Sequence, residues 1–318
     1  MATISKSGIT NASTIQATHI TGIIDALDGT TATDITIAGT IGISGTANFT
    51  GTSVVITGTL NHGANAVVTG IDGHAQGQSS RAVGDYSHAE GGAAFASGGY
   101  SHAEGWYVTA SGAGSHAEGY YTKATGPYSH AEGTATIASG DYSHAEGAIT
   151  IASGIYSHAE GNSTVATGNS SHAEGYAVSA SGAGSHAEGY LTLASGPYSH
   201  AEGESSRVTG DYSHTEGRLT FTSGQYAHAE GYAATASGNF SHAEGYTTLA
   251  SGQASHAEGE SSRATGGSSH AEGAGTLASG QYSHAEGWYV SASGASSHAE
   301  GYYTRTTIDY AHAEGMNS

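Results

Sequence analysis

The residues of this sequence with chemistry to offer are a histidine and an acid two positions apart. His88 and Glu90 recur as His102 and Glu104, as His116 and Glu118, and as His130 and Glu132. From His74 to His312 the period is 14 residues without insertion or deletion, giving 18 units with His in all and Glu in 17, Gln76 being the exception. A His-x-Glu pair on one strand face sets two ligands of the kind that Zn²⁺ or Ni²⁺ accepts side by side. Equal copies mark none as an active centre, so no enzyme, no resident metal and no cofactor is expected. The plainer reading is an inter-chain ladder of His–Glu hydrogen bonds, which also keeps the carboxylates from repelling one another. If those carboxylates raise the His pKa values, their stabilisation is complete below the unfolded value of about 6.5 and fades as pH rises through the folded values. Mild acidification is then expected to raise the melting temperature.

The pairs need elements to hold them. The unit S-H-A-E-G-x-x-T-x-A-S-G-x-Y splits into two similar halves of seven, each a run of alternating small residues closed by Gly and a two-residue corner. Such alternation reads as strand then turn. Two strands per unit predict a flattened parallel β-roll that rises about 4.8 Å per coil. Alternation then assigns the faces. Ser87 and Ala89 point inward and His88 and Glu90 outward; Ala94, Thr122 or Thr136 points inward with the following Ala, such as Ala96, and the variable residue points outward with Ser97. That variable column holds five of the seven cations, Arg81, Lys123, Arg207, Arg263 and Arg305, and reads as solvent-facing. An inward Thr column also argues against an ice-binding array.

Composition sharpens the choice of class. The 318 residues include 51 Gly, 2 Pro and no Cys, with a formal net charge of −20. Leu, Ile, Val and Phe together number 38, a share that alone predicts disorder. Constant coil length excludes disorder, because stacked coils must close at the same height. An interior of Ala, Ser and Thr removes little apolar area, so self-association is expected to supply the rest, most simply a homotrimer whose identical His/Glu faces meet rung by rung. The negative charge argues against nucleic acid. No apolar run is long enough to cross a membrane, and no secretory leader is visible at the start.

All 20 Tyr and both Trp fall at corners. Trp106, Tyr107, Tyr120, Tyr121, Trp288, Tyr289, Tyr302 and Tyr303 mark one edge, and Tyr86, Tyr100, Tyr128 and Tyr142 the other. Stacking from rung to rung that shields the corners is the plainer reading; an aromatic ridge touching a glycan or a protein is the functional one. The block W-Y-V-[TS]-A-S-G-A, present at residues 106 and 288, makes those two patches the best contact candidates.

Residues 1–72 are a different piece. Ile20, Ile23, Ile24 and Leu27 follow helical spacing, with Thr18 to cap and Gly29 to end a helix over about 18–28. Gly39, Gly45, Gly51 and Gly58, each before Thr, then punctuate β-branched runs. Twelve of the 17 Ile lie before residue 73, so this region is assigned trimerisation and attachment, the alternative being a plain cap on the solenoid. The roll is assigned to 73–315, with a tail at 316–318.

The repeated S-x-A-x-G alternation resembles the YadA-like head repeat of trimeric autotransporter adhesins, and SHAEG units of this kind resemble those of phage tail and fibre proteins. The resemblance covers 73–315. It implies an all-β, left-handed parallel β-roll solenoid of 14-residue coils, homotrimeric, here with a small N-terminal helix-plus-strands attachment region. Where adhesin heads turn Val and Ile to the trimer axis, this chain carries His and Glu; the stalk and membrane barrel of that family have no counterpart here. The resemblance therefore implies a structural fibre of a phage or phage-like virion (tail or head), assembled in the host cytoplasm. Its N-terminus docks on a virion protein, and its shaft projects to contact a host surface glycan or protein, without membrane insertion. The alternative is an adhesin or receptor-binding module on an extracellular surface.

Overall fold

A computed structural model of the protein describes residues 60–318. The helix expected at 18–28 and the Gly-Thr strands up to Gly58 lie outside the described residues. The described chain is an all-β parallel solenoid of 14-residue coils, without a helix. Each coil contributes a five-residue strand such as His88–Gly92 and a two-residue strand such as Phe95–Ala96. Every strand pairs in parallel with its equivalent one coil on, His88 with His102 and Phe95 with Thr109. Leu60–His62 pairs in the same register with His74–Gln76, so among the described residues the ladder includes one coil ahead of the first histidine unit.

Two glycines per coil set the rise. A Cβ on Gly91, where φ is +112°, would lie 2.1 Å from the carbonyl oxygen of Gly105 in the next coil. At Gly98 a Cβ would lie 2.0 Å from the Gly112 oxygen. Backbone rests on backbone at both corners, and only glycine permits that approach.

The interior is a double column of alanines, Ala89 and Ala96 among them, with no exposed surface. Ser87 is buried as expected, and its hydroxyl donates to the carbonyl of Gly84 at 2.6 Å, locking the corner that precedes the long strand. Ala227 replaces that serine in one coil, and Ser213 from the coil below donates to the vacated Gly224 carbonyl at 2.6 Å. Thr215 and Thr222 replace a facing alanine pair, and their hydroxyls bond each other across the interior at 2.9 Å. The column starting each short strand is less well satisfied. Thr136, Thr150 and Thr164 are fully buried, and their hydroxyls have no hydrogen-bond partner, while Val108, Val178 and Val290 fill the same position.

Corner residues face a different problem, a backbone N–H at the turn. At Ile71, Ile155, Gln225 and Ala295 it donates to the side chain of Asp85, Asn169, Asn239 and Asp309, each one coil later. Pro127 and Pro197, the chain's two prolines, occupy this corner position and have no N–H to satisfy. Asp211, one coil after Pro197, accepts instead from the side-chain amide of Gln225 at 3.3 Å.

Two substitutions test this account in opposite directions. Gly133→Ala adds a Cβ 2.1 Å from the Gly147 oxygen at a φ of +112°. It is expected to destabilise by more than about 3 kcal/mol and to open a protease-sensitive point at that coil. Thr136→Val replaces an unsatisfied buried hydroxyl with a methyl in a site that valine fits elsewhere, and is expected to stabilise by about 1 kcal/mol. Denaturant unfolding of the full chain measures both; a Thr136→Val variant less stable than the parent contradicts the assignment.

Candidate interaction surfaces

The outer face of the long-strand sheet is a column of imidazoles. Pleating turns residues i and i+2 to one side, so His88 and Glu90 project outward together, as do His102 with Glu104, His116 with Glu118 and His130 with Glu132. The rings stack along the axis with centroids 4.6 to 4.9 Å apart. Each of these four imidazole Nε2 atoms lies 3.5 to 3.8 Å from the carboxylate of its own strand. That is ion-pair range, yet all four are shielded from solvent and make no hydrogen bond. In His284 the carboxylate of Glu286 closes to 3.3 Å and the bond forms. His214, in the coil that carries Thr215, tilts 56° from the ring of His228.

The expectation that the glutamates raise the histidine pKa values is overturned at seven histidines. His102, His130, His158 and His186 are held below the ordinary histidine value, first by burial in the stack and then by the positive charge each neighbouring imidazole would carry. His200, His214 and His256 shift the same way, burial again the largest cause. The glutamates pull in the other direction and lose. At one-coil spacing, every ring sits closer to two more potential cations than the sequence spacing of His-x-Glu suggests. Carboxylates that are nearly half exposed, 48% for Glu104, attract only weakly. Among the described residues, no three His, Asp or Glu side chains gather closely enough to hold a metal ion.

The corners carry the aromatic rows, and their left-handed residues are mostly not glycine. Tyr86, Tyr100, Tyr128 and Tyr142 have φ of 55° to 60°. Tyr86 stacks on Tyr100 at 4.9 Å and Tyr128 on Tyr142 at 5.1 Å. On the opposite edge Tyr107 stacks on Tyr121 at 4.9 Å and Tyr289 on Tyr303 at 5.2 Å. Each of these four tyrosines also meets its chain neighbour edge to face. The centroids are 6.1 Å apart for Trp106–Tyr107, 4.5 Å for Tyr120–Tyr121, 5.7 Å for Trp288–Tyr289 and 4.7 Å for Tyr302–Tyr303. Stacking leaves them well exposed, Trp106 by 55% and Trp288 by 47%.

The outward column of the short strands holds features that the repeat consensus does not display. Arg81 lies over the ring of Phe95 at 5.2 Å and Arg207 over Phe221 at 6.0 Å, each one coil further on. Arg218, at a corner, pairs with Glu204 at 3.3 Å on one side and covers Tyr232 at 5.8 Å on the other. Lys123 and Arg305 stand two residues after Tyr121 and Tyr303, exposed and without an ion pair or aromatic ring beneath them. The signal for them was present as Tyr-Tyr-Thr-Lys and Tyr-Tyr-Thr-Arg, one unit after the duplicated tryptophan block.

Comparison with protein-family models and with curated protein sequences finds no match for this chain.

A histidine whose folded pKa is depressed contributes stability that is present above the unfolded value near ~6.5 and is lost as pH falls through it toward the folded value. The melting temperature is therefore expected to drop between about pH 7.5 and pH 5.5, the reverse of the sequence-based expectation. Calorimetric melts across that range check it; a flat or rising series contradicts the assigned direction.

Proposed function

We propose that this chain is a non-enzymatic structural fibre that works as a homotrimer, with the His/Glu faces turned to the trimer axis. The observation that carries the reading is the uniformity of that face. Eighteen consecutive histidines and 17 glutamates present one unchanging surface, whereas the outward column of the short strands varies from Arg to Phe to Ser. A surface that meets only water does not need such constancy; one that meets copies of itself does.

The solenoid's resemblance to YadA-like heads and to SHAEG-repeat phage proteins supports a virion tail or head fibre, its N-terminal region docked and its roll projecting. A second reading, a cell-surface adhesin or receptor-binding module, draws on the exposed aromatic edge. Both share the trimer. Native mass spectrometry is expected to give three times the 31.6 kDa chain. Lysines in place of His130 and His144 lie outside the coil, so they are expected to release folded single chains. A parent protein that is monomeric at all concentrations overturns the reading.

A further inference from the structure

The chain contains one surface constellation twice. Residues 106–123 and 288–305 agree at every position except Thr109 against Ser291, Gly114 against Ser296 and Lys123 against Arg305. Much of that agreement is the shared coil, but the aromatic residues and the cation are not. The same frame at 176–193 keeps Val178 and Ala183, as the first copy has Val108 and Ala113. There Tyr176 replaces the tryptophan, Ala177 and Leu191 replace the corner tyrosines, and Leu193 replaces the cation. At 232–249 the cation is again lost, to Leu249, where Ala233 and Thr247 hold the corners. Both full aromatic tetrads carry a cation, whereas a cation without the tetrad stands at Arg207 and Arg263, where Glu204-Ser205 and Glu260-Ser261 hold the upper corner. Coil stacking does not demand that pairing, because the coils with Ala177 or Ala233 stack in the same register.

One of the two floor positions beneath each tetrad is a glycine. Below Trp106 stands Gly92, where a Cβ would meet the indole at 2.9 Å; below Tyr289 stands Gly275, where a Cβ would meet the ring at 2.8 Å. Trp106 and Tyr289 lie against bare backbone on that side, while Tyr107 and Trp288 stand over Ala93 and Ala274. In a chain of net charge −20, an exposed cation without an acidic partner beside such rings is a local reversal of sign.

The geometry points to two equivalent binding sites for an acidic carbohydrate, one built from Trp106, Tyr107, Tyr120, Tyr121 and Lys123. The other is built from Trp288, Tyr289, Tyr302, Tyr303 and Arg305. Flat rings with phenolic tips give large contact area at low entropic cost and hydrogen-bond the hydroxyls of a sugar. The cation takes the carboxylate or sulfate. Patch size selects carbohydrate over protein. A standard protein interface covers about 800 Å² per partner, and a tetrad two coils tall spans only about 10 Å of the axis. Small residues bound the first site, Gly92 and Ala93 below and Thr134 and Ala135 above; the second has Ala274 and Gly275 below and Met316 and Asn317 above. The two sites stand 13 coils apart, about 62 Å, which suits a surface bearing many copies of a weak ligand. The inference goes beyond the fibre reading and needs only that this edge stay outside the His/Glu face.

Trp106 and Trp288 are the chain's two tryptophans, so indole fluorescence reads these sites alone. The full-length protein is screened on an array of uronate-containing, sialylated, sulfated and neutral oligosaccharides, and the strongest binder is titrated by fluorescence. Acidic glycans are expected to bind at least tenfold tighter than neutral ones, with two sites per chain and weakening as salt rises. The Trp106→Ala/Trp288→Ala pair is expected to abolish array binding. The exposed Lys123→Gln/Arg305→Gln pair is expected to reduce it at least tenfold, with the circular dichroism spectrum unchanged. Tyr156→Ser, on the opposite edge, is expected to leave binding intact. Equal retention of neutral and acidic glycans, binding that survives the cation pair, or an array with no acidic glycan retained overturns the proposal. A protein of monomeric mass that still binds acidic glycans supports the sites while overturning the trimer.

Discussion

Everything in this solenoid depends on two backbone contacts per coil, where one glycine lies against the carbonyl of the next. They fix the rise at the spacing of hydrogen-bonded strands, and that spacing decides the remainder. Because coils approach so closely, the interior has room for Ala, Ser and Thr and for an occasional Val. Because every coil has the same height, equivalent side chains stack as columns, and a residue's nearest neighbour outside its own strand is its own equivalent 14 positions away. Chemistry in this molecule is columnar before it is local.

That ordering explains what the sequence made legible. The 14-residue period, the two faces and the inward Ser87, Ala89, Thr122 and Ala96 follow from alternation and constant length, which are backbone properties. The direction of the histidine shifts did not follow. Reading His-x-Glu along one strand counts the acid two residues away and omits burial in the stack, the largest cause at His102, and then the imidazoles above and below. Lys123 and Arg305 were half visible, each two residues after a Tyr-Tyr pair; the coil adds the Trp-Tyr pair stacked below and shows that Arg81 and Arg207 lie over phenylalanine rings instead.

Irregularities in the repeat are informative for a related reason. Ala227 is tolerated because Ser213 reaches the carbonyl it leaves. Thr215 is tolerated because Thr222 faces it. Pro127 and Pro197 sit at a corner whose N–H bonds an Asp or Asn one coil later in four other coils, and they have no N–H to satisfy. Departures inside the coil are thus repaired by a neighbour in the stack, whereas departures on the aromatic edge recur as blocks. The first kind keeps the rod closed, and the second kind writes differences onto its flank.

Parallel strands lying across the axis also have a mechanical meaning. Interstrand hydrogen bonds run along the rod, so tension between its ends loads one coil's bonds at a time instead of shearing many together. A coil that peels away exchanges about 4.8 Å of height for some 48 Å of extended chain. A solenoid built this way yields stepwise under a pull and lengthens roughly tenfold per coil released, so each released coil dissipates part of the work done on it.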